Sequence, residues 1–185
     1  MALFLSKLLL TIADVRRPRV LLCASGSVAT VKIPELAVRI VVTKAADFFL
    51  ARAKEYEPVS WARLEELKAA IPIIRDENEW AEWNVVGDAV VHIDLKDWAD
   101  VMLVAPLSAN TLAKLANGLS DNLLTCIARA WIMSKPFIYA PAMNTDMWNH
   151  PMTARHLSVL GDLGYSMIPP VEKKLACGVV GMELK

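Results

Sequence analysis

Short, fully apolar runs alternate along this chain with longer stretches of mixed polarity. Residues 19–24, 40–43, 101–105, 137–140 and 165–168 are rich in aliphatic and aromatic side chains and read as strands. They lack the in–out alternation of a half-exposed strand, which predicts strands covered on both faces, as in a parallel sheet. Residues 71–74 make a further short strand, which Pro72 confines to a sheet edge or to the start of an element. Between these runs, residues 28–38, 45–55, 61–70 and 76–83 predict helices, and residues 90–93 read as either an extended segment or the start of a helix. Residues 108–133 form a long helical stretch that Gly118 divides, and residues 145–160 form another, interrupted at Pro151. Pro106 and Pro141 are expected to stop the strands before them, because proline removes a ladder donor. Residues 165–168 are expected to be the last strand, before Pro169 and Pro170.

Strand–helix alternation of this kind implies βαβ units with right-handed crossovers, and so a three-layer α/β/α parallel sheet. Such sheets bind ligands beyond the carboxyl ends of their strands. Here those ends are Ser25-Gly26-Ser27, Thr43-Lys44, Pro106-Leu107-Ser108 and the segment from Pro141 to Asn144. The polar candidates therefore converge on one rim of the sheet.

Composition narrows the classes. The hydrophobic share is 55% and the mean hydropathy is +0.36, a surplus that fits doubly covered strands and oligomer contacts. Lys+Arg and Asp+Glu are 20 each, so the balance argues for no nucleic-acid groove and no polybasic membrane patch. No apolar run approaches the roughly 20 residues of a membrane span. Cys23, Cys126 and Cys177 are far apart, which excludes a CxxC pair and suits a reducing, cytoplasmic setting. Residues 1–17 read as a leader segment in which Leu3, Leu5, Leu8, Leu9 and Ile12 share one helical face. Packing on the domain or on a partner subunit is the favoured role, with an organellar leader as the alternative. Residues 18–185 read as one domain.

Each candidate group has an ordinary explanation beside its chemical one. Gly26, Ser27 and Val28 join a strand to a helix: glycine permits close backbone approach and a helix start favours an anion, although Ser27 also suits a plain N-cap. Ser108, Ala109, Asn110 and Thr111 repeat that design after another strand. Two such starts on one rim look like a cradle for a phosphorylated cofactor. Basic residues are sparse there, so backbone amides and helix dipoles are expected to carry the anion. His92 suits either a structural hydrogen bond or a base that changes charge near neutral pH. Asn144 suits a helix cap or a neutral grip on a carboxylate, and Cys177 a small buried apolar group or a working thiol. His150 and His156 make no metal pattern and read as surface or packing residues, and no metal is expected. Trp80, Trp83, Trp98, Trp131 and Trp148 read as core or interface residues.

The whole set of segments resembles one family, the homo-oligomeric flavin-containing cysteine decarboxylases with their plant halotolerance relatives. The matching stretches are SGSVA (25–29), VVTK (41–44), DENEWAEWN (76–84), VVHIDLKDWAD (90–100), VAPLSANTLAKLANGLSDNLLTCIARAW (104–131), KPFIYAPAMNTDMWNHP (135–151) and KKLACG (173–178). The resemblance implies a Rossmann-like or flavodoxin-like α/β/α sandwich, FMN as cofactor, and a homotrimer with the site at a subunit boundary. It implies FMN contacts from Gly26, Ser27, Val28, Thr43, Ser108 to Thr111 and Ala142. It implies His92 as catalytic base, Cys177 as proton donor, Asn144 on the substrate carboxylate, and Lys174 and Ala176 beside the substrate. The paired PAMN and LACG segments point to the branch acting on 4′-phosphopantothenoylcysteine in coenzyme A biosynthesis. In the implied route the substrate CH2–SH group is oxidised to a thioaldehyde. Loss of CO2 then gives an enethiol, and a returned hydride with a proton from Cys177 closes a redox-neutral cycle.

Three stretches depart from the family pattern. Residues 35–43 pass from helix to strand almost without a loop, residues 51–71 are longer than the family's equivalent, and residues 179–185 replace a glycine-rich run and an Ala-Met-Ala-Glu clamp. The third departure implies weaker closure over the substrate. It keeps open an alternative: a catalytically impaired flavin-binding regulatory subunit of the phosphatase-inhibitor kind.

Overall fold

The computed structural model describes residues 18–26, 39–67, 71–81, 83–174 and 180–183. Among these, six parallel strands form the central sheet: β1 (Val20–Ala24), β2 (Arg39–Val42), β3 (Ile73–Ile74), β4 (Val101–Leu107), β5 (Phe137–Pro141) and β7 (Ser166–Met167). Their spatial order is β3-β2-β1-β4-β5-β7, and every neighbouring pair is parallel. This is the doubly wound, Rossmann-like order, in which the direction of strand addition reverses between β1 and β4. The residue 71–74 strand does take an edge.

Side-chain alternation divides the interior into two cores. Leu21, Cys23, Met102, Val104, Phe137 and Tyr139 face one side, where they meet α5 (Val91–Trp98), α6 (Ala109–Ala116), α7 (Leu123–Arg129) and α9 (Pro151–Asp162). Leu22, Ala24, Ile40, Val42, Leu103 and Ile138 face the other, where they meet Ala46 and Leu50 of α1 (Lys44–Leu50) and Leu64 of α3 (Pro58–Leu67). Every residue of β4 is buried, as a strand covered on both faces requires. Phe137 stacks on Tyr165 at 3.9 Å between centroids, which ties β5 to the approach to β7. At the opposite end of the sheet from the strand termini discussed below, the Arg19 backbone and guanidinium both reach Asp100, and Arg39 lies over the Trp98 ring at 4.1 Å.

Several boundaries differ from the sequence expectation. Residues 45–55 make two helices, α1 and α2 (Ala53–Tyr56), rather than one. Residues 76–83 give the shorter α4 (Asp76–Ala81), and residues 90–93 prove to be the start of helix α5. Pro106 does not stop its strand, since β4 continues through it to Leu107, whereas β5 does end at Pro141, its last residue. Each sits where the ladder is ending and its register shifts, so the missing N–H costs little. Gly118, at φ +69°, does divide α6 from α7, and Pro151 opens α9 one residue after α8 (Thr145–Asn149).

Residues 165–168 are not the last strand. A second, antiparallel sheet follows, ordered β6-β9-β8, from β6 (Met143–Asn144), β8 (Val171–Lys174) and β9 (Val180–Glu183). Its pattern was hidden because the strands are short and β8 is largely charged. The residues that depart from the family pattern at the end of the chain thus include a strand, and Gly181 of that strand pairs with Asn144. The expected leader (residues 1–17) and the expected helix over residues 28–38 lie outside the described residues.

Candidate active site

The carboxyl ends of β1, β2 and β4 meet at the switch point, and a cavity of about 320 Å³ opens there. Its wall is Gly26, Thr43, Lys44, Ala45, Asp76, Ser108, Asn110, Thr111, Lys114, Asp121 and Asn122. The size falls within the usual range for small-molecule sites, and so does the position.

Local chemistry explains why these residues meet. Thr43 follows β2 directly and caps α1, its Oγ1 accepting from the Ala46 N–H at 3.2 Å. Ser108 follows β4 directly and caps α6, its Oγ accepting from the Thr111 N–H at 3.3 Å. Buried Ser25 clamps these ends together: its hydroxyl donates to the Pro106 carbonyl at 2.9 Å and accepts from the Ser108 N–H at 2.7 Å. Gly26 passes so close to α1 that a Cβ there would lie 2.4 Å from the Ala45 Cβ, so only glycine fits. Asp76, at the start of α4, reaches across the cavity to accept from the Leu123 N–H of α7 at 2.9 Å.

Two residues bring charge that the sequence reading did not assign. Lys114 and Lys44 both reach the cavity, which corrects the expectation of a rim poor in basic groups. Lys114 Nζ lies 2.6 and 2.9 Å from the two carboxylate oxygens of Asp121. That hydrogen bond holds the Asp121 carboxyl below the usual range. Lys44 stands 4.0 Å from Glu77 on the exposed rim. A signal existed for Lys114: it lies one helical turn beyond Asn110 and Thr111, on the same face of α6.

Of the residues singled out from sequence, Gly26, Thr43, Ser108, Asn110 and Thr111 meet in the cavity wall, with Ala109 in the first turn of α6 between them. Ala142 is buried just past β5 and donates its N–H to the Leu107 carbonyl at 2.9 Å, beside the wall rather than in it. Asn144 caps α8, its Oδ1 accepting from the Met147 N–H at 2.8 Å, so the capping role is real. His92 lies in the first turn of α5, outside the cavity wall, where Glu79 of α4 contacts its Nδ1. Ser27, Val28, Ala176 and Cys177 lie outside the described residues. Lys174 ends β8. His150 accepts from the Met152 N–H and so caps α9, a structural role. Trp131 is buried in the core, but Trp80 and Trp83 face outward from the single chain. Among the described residues there is no cluster that would hold a metal ion.

The donor set suits FMN. Three hydroxyls, two side-chain amides and two lysines line the wall, along with the carboxylates of Asp76 and Asp121. Together they match a phosphate and a polyhydroxyl chain, and the glycine lets backbone approach closely.

A doubly wound sheet with a polar, phosphate-suited cavity at its switch point defines a nucleotide-binding α/β protein. The chain belongs to the Flavoprotein family, whose model matches residues 11–184. It is 52% identical over 174 residues to phosphopantothenoylcysteine decarboxylase HAL3a of Glycine max, covering 90% of this chain and 77% of that one. Among solved structures it is similar to a PPC decarboxylase mutant complexed with pantothenoylaminoethenethiol, with TM-score 0.79, 50% identity, and 91% and 90% of the two chains covered. It is also similar to the FMN binding protein AtHal3, with TM-score 0.76, 50% identity, and 91% of each chain covered.

Proposed function

We propose that this chain is an FMN-dependent decarboxylase that converts 4′-phosphopantothenoylcysteine to 4′-phosphopantetheine in coenzyme A biosynthesis. The observation that carries this reading is the switch-point cavity with Gly26, Thr43, Ser108, Asn110 and Thr111 in its wall, in a chain half identical to decarboxylases of that substrate. The regulatory alternative is not favoured, since the curated relatives of similar length are decarboxylases.

In this reading Gly26, Ser27, Val28, Thr43, Ser108, Ala109, Asn110, Thr111 and Ala142 hold FMN. When bound, the flavin supplies a reversible two-electron sink, without which loss of CO2 would leave an unstabilised carbanion. The protein supplies position and proton transfer. His92 takes the proton from the substrate thiol. Asn144 holds the carboxylate through its NH2 group, because its oxygen is already committed to the Met147 N–H. That neutral grip favours departure of CO2 over a permanent ion pair. Cys177 returns a proton at the end, with Lys174 and Ala176 beside the substrate.

The protein acts as a homotrimer in the cytoplasm. Support for assembly comes from Trp80, Trp83, Val85 and Val86, an exposed apolar group on and just after α4, close in sequence to His92. Among the described residues no helix is long and apolar enough to cross a membrane.

The test is to purify the protein, reconstitute it with FMN and follow 4′-phosphopantetheine by mass spectrometry. A yellow protein forming that product is the expected result. A protein that takes up no FMN would overturn the reading.

A further inference from the structure

Glu79 belongs to none of the groups assigned so far. It sits on α4, three residues after Asp76 and therefore on the same face of that helix. Asp76 forms part of the cavity wall and grips the first turn of α7. Glu79 grips the first turn of α5: its Oε2 accepts from the His92 backbone N–H at 3.2 Å, and its Oε1 contacts the His92 ring at Nδ1. Its side chain is 12% exposed and that of His92 is 25% exposed, so this pair is partly sheltered from solvent.

The backbone contact has a clear origin. The cap residue of α5 is Val90, whose side chain makes no cap hydrogen bond. The amides of the first helical turn have no partner within the helix. Glu79 supplies one from another element, and this locks the carboxylate in place. The second oxygen is then fixed opposite Nδ1. An ionised carboxylate only accepts, so the proton of a neutral imidazole must sit on Nδ1, and Nε2 carries the lone pair. A base at this position works only through the nitrogen that is free of its proton.

We infer that Glu79 is a positioning residue for the decarboxylation: it holds His92 in the Nδ1–H tautomer and so presents Nε2 as the proton acceptor. This rests on the proposed role of His92 as base. One helical face thereby joins the cavity wall, through Asp76, to the imidazole, through Glu79.

The test uses full-length, FMN-loaded protein with 15N-labelled histidine, the His92 ring signals being identified by their loss in His92→Asn. Wild type is expected to show a protonated Nδ1 and an unprotonated Nε2. Glu79→Ala should move the proton to Nε2 and lower kcat at least about 10-fold, with KM and flavin absorbance little changed. Glu79→Gln keeps an acceptor oxygen, so it should retain the tautomer and give a kcat between the other two. A wild-type ring protonated at Nε2, or an Nδ1–H tautomer that survives Glu79→Ala, would overturn the inference. The nitrogen signals are read without substrate, so this failure is distinct from failure of the base assignment, which would show as full turnover by His92→Asn.

Discussion

Ser25 and Ser108 are joined by a buried hydrogen bond of 2.7 Å, from the Ser108 N–H to the Ser25 hydroxyl. They lie at the ends of adjacent strands, where the sheet reverses its order. The same hydroxyl donates to the Pro106 carbonyl, so one side chain fixes the floor of the cavity.

Ser25→Ala leaves the Ser108 N–H without that acceptor in a fully buried position. The expected cost is about 1–3 kcal/mol of stability, read from denaturant unfolding. Because the floor loosens, FMN titration should also show weaker binding. Unchanged values in both measurements would remove Ser25 from this account.

Asn144 serves as a cap and, in the proposed mechanism, as a carboxylate donor. Asn144→Asp separates the two roles, since aspartate caps as well as asparagine but repels a carboxylate. Unfolding should be unchanged while KM for 4′-phosphopantothenoylcysteine rises at least about 10-fold, in line with the roughly 1.5–3 kcal/mol of a hydrogen bond to a charged group. An equal loss of stability and activity would show that capping alone matters.

Asp121 and Lys114 share the cavity wall. Asp121→Asn frees the lysine and removes a negative charge, so FMN should bind more tightly at pH 7. The Asp121 carboxyl is lowered by its bond to Lys114. Its contribution to stability is therefore present above the ordinary carboxylate range and lost as pH falls through the lowered folded value. Wild type and Asp121→Asn should thus converge in FMN affinity at strongly acid pH. The side chain is 59% exposed, so the effect on melting should be small. Weaker FMN binding by Asp121→Asn at pH 7 would contradict this.

Much of this fold was legible in the sequence because doubly covered strands leave an unambiguous mark. The run from Val101 to Val104 allows no other reading. Pro106 misled because proline forbids a donor, not a strand, and it sits where the ladder no longer needs one, whereas β5 ends at Pro141 as its sequence implies. The antiparallel sheet escaped because Met143-Asn144 is short and Val171 to Lys174 carries no apolar alternation. In the site, Gly26, Thr43 and Ser108 to Thr111 were legible because strand ends and caps are local features. Lys114 was legible only as a same-face neighbour of Asn110 and Thr111. Asp76, Glu79 and Asp121 were not, since their partners lie on other elements or across a helix break, and only the folded chain brings them together.

Cys23 is fully buried in β1, and burial pushes its thiol far above the usual range. The reactive thiolate is therefore scarce at pH 8 in the folded state. Iodoacetamide followed by mass spectrometry should leave Cys23 unmodified in native protein and modify it after denaturation. Rapid native labelling would contradict the burial of β1.

The central claim is that this chain holds FMN beside an imidazole and removes a carboxylate from 4′-phosphopantothenoylcysteine. The most direct measurement is release of labelled CO2 from carboxyl-labelled substrate by FMN-loaded protein, with His92→Asn in parallel. The account predicts multiple turnovers by wild type and a loss of about 100-fold or more in the variant. Flavin-loaded wild-type protein that releases no labelled CO2 would contradict it.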